Sequence, residues 1–222
     1  MKPNHHLDDA TLLSYSAGAL AAALAVVAAA HLERCAECRA RLLDADQIGG
    51  ALMQMQQQRA DAPAEDARVA MLALLDAEPE VAPEALPIEV IEAHDPDRLP
   101  GALHPWFGAS MRALRWRRVA PGVQRILASG ISGGDLMLLR IAPGNRLPLH
   151  SHGGSELTMI LDGAYDDMLG HFAPGDVADL DGETLHQPVT SPGVPCICVA
   201  ATDAPLVFSG WLARALQPLF GF

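Results

Sequence analysis

Three residues that can bind a metal ion lie close together near the N-terminus, in the arrangement His31-x3-Cys35-x2-Cys38. A fourth ligand is available at His6, before the first predicted helix, and the adjacent His5 is an equally placed alternative. Two thiolates and two neutral imidazoles suit tetrahedral Zn2+, which closes a structural site with four protein ligands. The sequence therefore predicts a zinc ion that joins three segments of the chain and stabilises a small domain.

A second set of possible ligands lies in the C-terminal half, at His150, His152, Glu156 and His186. Because side chains alternate along a strand, His150 and His152 are expected on the same face. Glu156 follows the Gly153-Gly154 turn and returns toward the same interior, and His186 is the natural fourth ligand. Three imidazoles and one carboxylate can hold Zn, Mn, Fe or Ni, so the ligand types leave the metal open.

Cys196 and Cys198 are separated by one residue in a predicted strand. Their side chains are expected on the same face, with Cα atoms about 6.6 Å apart at normal strand rise. That separation is at the long limit for a disulfide, so we expect two free thiols. Two small buried side chains are the favoured interpretation, and a redox or signal-relay role is the alternative.

Residues 7–77 are rich in Ala, Leu, Met, Gln, Glu and Arg, which lose least on entering a helix. They predict a small helical domain over residues 1–80. Its four helices are expected from Asp8 or Asp9 to about Ala17, Ala19 to about Leu32, Cys35 toward Arg59, and Ala64 to Glu78. Gly49 and Gly50 weaken the third helix. Its apolar residues fit either a core or a partner surface: Leu42, Leu43, Ile48, Leu52 and Met55.

The segment 81–100 is predicted to be a linker, because prolines recur there among acidic residues. Leu86 to Ile91 could form one edge strand. From 101 to 222 the texture changes to short runs of β-branched residues separated by Pro-Gly and Gly-Gly turns, which predict an all-β barrel. The expected strands are Trp116 to Val119, Val123 to Leu127, Asp135 to Ile141, Glu156 to Leu161 and Val194 to Ala200. A short helix is expected around Trp211 to Leu216.

Charge and hydropathy exclude two classes of partner. The net charge of −12 and a pI near 5.0 argue against direct nucleic-acid binding, which depends on Lys and Arg. The longest apolar run, Ala19 to Ala30, is twelve residues, whereas crossing a bilayer takes roughly 20. No secretory layout is visible at the N-terminus. The chain is therefore predicted to be cytoplasmic, without a membrane partner.

The string Gly144-x5-His150-x-His152-x3-Glu156-x6-Gly163 resembles the first cupin motif. The resemblance implies a cupin barrel with His186 as the fourth metal ligand. The second motif departs from the enzyme-type cupin pattern in two places. That pattern has a Pro-x-Gly before the His and an Asn four residues after it, whereas this chain has Gly182 before His186 and Thr190 in the position of the Asn.

The N-terminal pattern resembles the zinc-binding anti-sigma domain, in which a His followed by His-x3-Cys-x2-Cys binds zinc. The resemblance selects His6 rather than His5 as the ligand. It implies that the helices bind a group IV (extracytoplasmic function) sigma factor of RNA polymerase.

Together the two patterns resemble the ChrR anti-sigma factors, in which a zinc anti-sigma domain precedes a zinc-binding cupin. The resemblance implies an α + β multidomain protein that is not an enzyme, and that releases its sigma factor under oxidative stress such as singlet oxygen. The alternative is a metal-dependent, oxygenase-like cupin enzyme with an appended regulatory domain, since an open metal position could bind dioxygen or a substrate.

Overall fold

The structure is a computed structural model that describes residues 2–56, 65–77, 95 and 97–208. The chain forms two compact units, one of Met1–Ile48 with Pro96–Phe222 and the other of Gly49–Asp95. Residues 1–48 therefore share a unit with residues 96–222. The sequence predicts domain boundaries at residues 80 and 100 instead. None of the helices in the described ranges is long and apolar enough to cross a bilayer.

Within the described residues, four helices form the N-terminal part: α1 (Asp9–Ser16), α2 (Ala22–Arg34), α3 (Ala36–Met55) and α4 (Glu65–Ala77). Gly18, with φ +65°, adopts the left-handed conformation that follows α1. Gly49 and Gly50 do not interrupt α3, so the predicted weakening is not seen. A 3-10 turn (Gly101–Leu103) and a short helix α5 (His104–Phe107) precede the strands.

As far as residue 208, where the described part of the chain ends, the β-rich part has eleven strands: β1 (Arg117–Ala120), β2 (Val123–Leu127), β3 (Asp135–Ile141), β4 (His150–His152), β5 (Glu156–Asp162), β6 (Tyr165–Asp167), β7 (Gly170–Phe172), β8 (Val177–Leu180), β9 (Val189–Thr190), β10 (Cys196–Thr202) and β11 (Leu206–Phe208). They form a six-stranded sheet in the order β1-β2-β3-β10-β5-β8, a pair β11-β4 and a three-stranded sheet β7-β6-β9.

The strands of the described residues form three sheets rather than the one closed barrel that the sequence predicts. Among the predicted strands, Val123–Leu127 and Asp135–Ile141 have the expected limits, and the others differ by one or two residues. The short strands of the small sheets were not predicted, because two or three residues are too few for a visible alternation. The predicted edge strand at 86–91 and helix at 211–216 lie outside the described residues.

The main core lies between α2 and one face of the six-stranded sheet. Ala23, Val27 and Ala28 are fully buried in α2, and they share a core with Leu138 of β3 and Val199 of β10. Alternate residues of β10 face the other way, so the strand is buried on both faces and reads as a continuous apolar run. The alanines of α2 let the helix approach the sheet closely.

We expect Leu24→Ala to lower the free energy of unfolding of the full chain by about 2–5 kcal/mol, because it leaves a cavity in this core. The Leu24 side chain is 2% exposed, whereas Leu52 of α3 is 58% exposed. Leu52→Ala, the matched control, should change the same quantity by less than about 0.5 kcal/mol. Urea denaturation followed by circular dichroism measures both, and equal effects would show that α2 is not part of the core.

Candidate metal centres

Four predicted ligands of the N-terminal cluster converge in the structure. The ligand atoms of His6, His31, Cys35 and Cys38 all lie within 4.8 Å of one another. The Nδ1 atom of His6 is 3.2 Å from Cys35 Sγ, and the Nε2 atom of His31 is 3.3 Å from Cys38 Sγ. These separations fit donors on the edges of one tetrahedron with metal–nitrogen and metal–sulfur bonds near 2.0–2.3 Å. The cluster can hold a metal ion.

The local backbone explains why Cys35 and Cys38 point to the same place. Cys35 has φ −106° and ψ 105°, an extended conformation that separates α2 from α3. Its Sγ accepts the backbone N–H of Cys38 at 3.4 Å, as a capping side chain does at the start of a helix. The position at the N-terminus of α3 also favours a negative thiolate. His31, in the last turn of α2, reaches the same point from the other side.

Each imidazole of this cluster directs its second ring nitrogen at an acceptor. His31 Nδ1 lies 2.9 Å from the carbonyl oxygen of Gly175, and His6 Nε2 lies 3.4 Å from Glu37 Oε2. Donation to these acceptors assigns the proton away from the cluster, which leaves a nitrogen lone pair free to bind a metal. This tautomer choice is the one that a zinc site needs.

Burial shifts the pKa values of two residues of this cluster, His31 and Cys38. Burial is the largest influence on His31 and lowers its pKa to about 4, so the ring is neutral at pH 7. Burial likewise raises the pKa of the Cys38 thiol to about 11. A bound dication would displace that thiol proton and compensate the buried thiolate charge. The donor set therefore fits a metal cation better than it fits a metal-free core.

The structure distinguishes between the two adjacent histidines, which the sequence pattern alone does not. His5 does not belong to the cluster. Its ring stacks on Phe172 with a centroid separation of 4.0 Å, and its Nε2 donates to the carbonyl oxygen of His171 at 3.0 Å. His6 is the residue that points to the thiols.

The second centre brings His150 and His186 together. Their Nε2 atoms are 3.0 Å apart, and a backbone bridge joins the two residues. His150 Nδ1 lies 2.8 Å from the carbonyl oxygen of Pro148, and His186 Nδ1 lies 3.3 Å from Asp167 Oδ2. Because both Nδ1 atoms face acceptors, both Nε2 atoms present lone pairs to each other, an arrangement that a cation between them would stabilise.

Glu156 is also buried, with 8% exposure, and its Oε1 accepts a hydrogen bond from Thr158 at 2.6 Å. His152 lies in β4, where its backbone pairs with Leu206, and its side chain lies outside the described part of the chain. The geometry thus brings two of the four predicted cupin ligands into direct contact and places a third in the same interior.

A cavity of about 340 Å³ opens among the cupin strands, and His150, Glu156 and His186 contribute to its lining. Its walls are mostly aliphatic, and the side chains of Tyr165, Cys196 and Cys198 also contribute. Both cysteines are buried and free, as predicted. Burial raises the pKa of Cys196 to about 12 and that of Cys198 well above its usual range, so both are neutral thiols. This favours their interpretation as buried packing residues over a redox role, which needs thiolate.

Sequence reasoning missed the residues that orient the ligands. The side chain of Asp167 is fully buried beside that of His186. The Pro174-Gly175-Asp176 turn was visible in the sequence as a turn, and Gly175 proves to contact the N-terminal cluster. Asp167 lies two residues after the buried Tyr165 in the short strand β6, and no sequence pattern marks such a carboxylate as a partner of a histidine. Only the fold shows that it contacts His186.

The fold and these ligand sets define a cupin protein with an N-terminal helical segment whose His and Cys side chains could hold a metal ion. Residues 107–204 match the family model described as the ChrR cupin-like domain. The chain is 38% identical, over 222 residues and 99% of each chain, to the anti-sigma-E factor ChrR of Cereibacter sphaeroides. It also matches the crystal structure of Rhodobacter sphaeroides SigE in complex with the anti-sigma ChrR, with TM-score 0.70 and 34% identity over 90% of this chain and 99% of that chain.

The chain belongs to the ChrR family of anti-sigma factors. This confirms the prediction of a regulator rather than a cupin enzyme, and it confirms the combination of a helical segment with a cupin domain.

His6→Ala should abolish tight metal binding at the N-terminal cluster, because it removes one of four ligands. His5→Ala is the matched control, and it should still bind one ion there at saturating metal. Co2+ gives thiolate charge-transfer absorption only when it is bound to cysteine sulfur, so titration of the full chain reports this cluster. If His5→Ala loses the absorption and His6→Ala keeps it, the ligand assignment is wrong.

Proposed function

We propose that this chain is a cytoplasmic anti-sigma factor that binds a group IV (extracytoplasmic function) sigma factor and releases it under oxidative stress such as singlet oxygen. The single observation that carries the proposal is the convergence of His6, His31, Cys35 and Cys38 at the junction of α2 and α3. A tetrahedral ion there fixes the direction in which α3 leaves α2, and with it the surface that α3 presents.

Zn2+ is the ion proposed for this cluster, because it accepts mixed nitrogen and sulfur donors and has no redox chemistry of its own. The cupin centre, with ligands His150, His152, Glu156 and His186, is also proposed to hold Zn2+. Mn, Fe and Ni remain alternatives there, since imidazole and carboxylate ligands suit each of them.

The helices carry apolar side chains that the described residues of the chain do not bury. On α3, Leu43, Ile48 and Leu52 are 61%, 55% and 58% exposed. The sequence left open whether these residues form core or partner surface, and their exposure supports the partner surface. Leu42 differs, since it is half-buried against the core.

Helix α4 has the same character in its own unit. Five of its apolar residues are at least 46% exposed: Val69, Met71, Leu72, Leu74 and Leu75. Residues three or four apart share a helix face, so Met71 and Leu75 form a stripe that one partner helix could cover. Exposed apolar surface of this kind marks an interaction site. The related ChrR was crystallised in complex with SigE, which supports a sigma factor as the partner.

The proposed division of labour assigns sigma binding to residues 1–80 and signal reception to the cupin at 101–222, with 81–100 as the connecting linker. Helix α2 nevertheless buries its apolar face on the cupin sheet. Removing the cupin would expose that face, so point variants in the full chain test the division more cleanly than truncation does.

Met71→Asp with Leu75→Asp should weaken binding of the zinc-loaded chain to its cognate sigma factor by at least tenfold, because carboxylates would be desolvated at the interface. Val194→Asp is the control, since Val194 is an exposed apolar residue of the cupin, at 55% exposure. Isothermal titration calorimetry measures the affinities. Unchanged binding by the α4 variant, with loss in the Val194 variant, would move the interface to the cupin.

Signal reception is tested with His150→Ala in the full chain. At saturating Zn2+ we expect this variant to bind the sigma factor with an affinity within about threefold of wild type, because the helices and the four ligands of the N-terminal cluster are unchanged. It should fail to release the sigma factor when singlet oxygen is generated by a photosensitiser and light, measured by pull-down before and after exposure. Release equal to that of wild type would exclude the cupin centre as the receiver.

A further inference from the structure

Residues 165–176 contact both candidate metal centres. This segment, which we term the bridging hairpin, consists of β6, β7 and the turn Ala173–Asp176. Its strands pair antiparallel with Tyr165 opposite Phe172 and Asp167 opposite Gly170. The turn is held to β5, since Gly175 N donates to the carbonyl oxygen of Ile160 at 2.9 Å. The hairpin is therefore a defined element of the cupin.

One end of the bridging hairpin supplies an acceptor to a ligand of the N-terminal cluster. The Gly175 carbonyl oxygen lies 2.9 Å from His31 Nδ1 in a buried contact. Gly175 has φ +98°, and a Cβ at this position would lie 3.3 Å from Cγ of Pro3. Glycine lets the backbone adopt this conformation close to the N-terminal segment. The backbone of the cupin thus fixes the ring of His31.

The same turn fixes the path of the segment that carries His6. Asp176 is 1% exposed, and its Oδ1 accepts the backbone N–H groups of Asn4 at 2.6 Å and His5 at 3.0 Å. Its Oδ2 accepts the N–H of Ala173 at 2.8 Å. Three backbone N–H groups thus share this one buried carboxyl group. The residue that follows this clamp is the ligand His6.

A stack of three rings runs from the N-terminal segment to the cupin cavity. The centroids of His5 and Phe172 are 4.0 Å apart with an interplanar angle of 22°. Those of Phe172 and Tyr165 are 4.8 Å apart at 15°. Tyr165 in turn lines the cavity that His150 and His186 also line. Packed rings of this kind transmit a displacement rather than absorb it.

The other end of the bridging hairpin reaches the cupin centre. Asp167 follows Tyr165 by two residues in β6, and its Oδ2 lies 3.3 Å from His186 Nδ1. The Asp167 side chain has no exposed area. A carboxylate on the outer nitrogen of a ligating histidine fixes its orientation and raises its basicity. The residues that orient the ligands of the two centres are therefore connected through the backbone of the bridging hairpin and through its stacked rings.

We propose that the bridging hairpin is a shared outer sphere of both metal centres, in which Asp176, His5 and the Gly175 carbonyl position the N-terminal ligands. A change at the cupin centre then alters metal affinity at the N-terminal cluster through the hairpin, and the reverse holds by linkage. The inference rests on the proposed metal occupancy of both centres. It gives the proposed signal a route from the cupin to the helices.

The positioning role is tested with Asp176→Asn in the full chain, titrated with Co2+ against a competing chelator. Asparagine has the same shape as aspartate, but its amide offers the backbone N–H groups either an NH2 donor or a weaker oxygen acceptor. The affinity of the thiolate-containing cluster for Co2+ should therefore fall by about 10- to 100-fold. Asp181→Asn is the control, because Asp181 bonds only within its own turn among the contacts described, to Glu183 and Thr184. Equal affinities of both variants and wild type would overturn the positioning role.

The coupling is tested by a double-mutant cycle on the same Co2+ absorption. Asp167→Asn, distant from the thiols, should weaken the N-terminal cluster by about fivefold or more when His5 is present. In the His5→Ala background the same change should have an effect below about twofold. An identical factor in both backgrounds, or no effect in either, would overturn the coupling.

Two further readouts keep the outcomes distinct. Circular dichroism establishes that each variant is folded, and if Asp167→Asn is not, His186→Gln perturbs the same contact from the other side. A wild-type chain that gives no thiolate absorption at saturating Co2+ would overturn the proposed metal occupancy. Normal absorption with additive effects would overturn only the coupling.

Discussion

The packing of α2 on the six-stranded sheet is the interaction on which the rest of the structure depends. It buries Ala23, Val27 and Ala28 against strands whose opposite face lines the cupin cavity. The same packing carries His31, which is 0% exposed, under the Ala173–Asp176 turn. The N-terminal cluster is thus built against the cupin, and burial there lowers the pKa of His31 and raises that of Cys38.

The two centres differ in what they offer a metal. The N-terminal cluster has four protein donors close together, which suits a closed structural ion. The cupin centre opens on a cavity with aliphatic walls and neutral thiols, where an ion could keep an open position. Membership of an anti-sigma family indicates a regulatory protein, and the exposed apolar residues of α3 and α4 are available to a macromolecular partner.

Much of this arrangement could be predicted from the sequence, because metal ligands leave spacing signals. The His31-x3-Cys35-x2-Cys38 pattern predicted the thiol site, and strand alternation predicted the shared face of Cys196 and Cys198. Helix content followed from composition. The choice between His5 and His6 required the family resemblance, and the structure agrees with it, since His5 stacks on Phe172 instead.

What the sequence could not predict depends on contacts between distant residues. Asp176 lies 172 positions from Asn4, and no local pattern links a carboxylate in a turn to backbone groups at the other end of the chain. The short strands of the small sheets were missed for a related reason, since pairing rather than alternation defines them. The sharing of one unit by residues 1–48 and the cupin is likewise a property of packing, which composition does not encode.

The central claim is that this chain removes a sigma factor from RNA polymerase. The most direct measurement is competition between the purified, zinc-loaded full chain and core RNA polymerase for the group IV sigma factor of the same organism, followed by sigma-dependent transcription in vitro. The account predicts that transcription falls as the chain approaches equimolar ratio with the sigma factor, and that the sigma factor is recovered bound to the chain. Undiminished transcription at a large excess of the chain would contradict it.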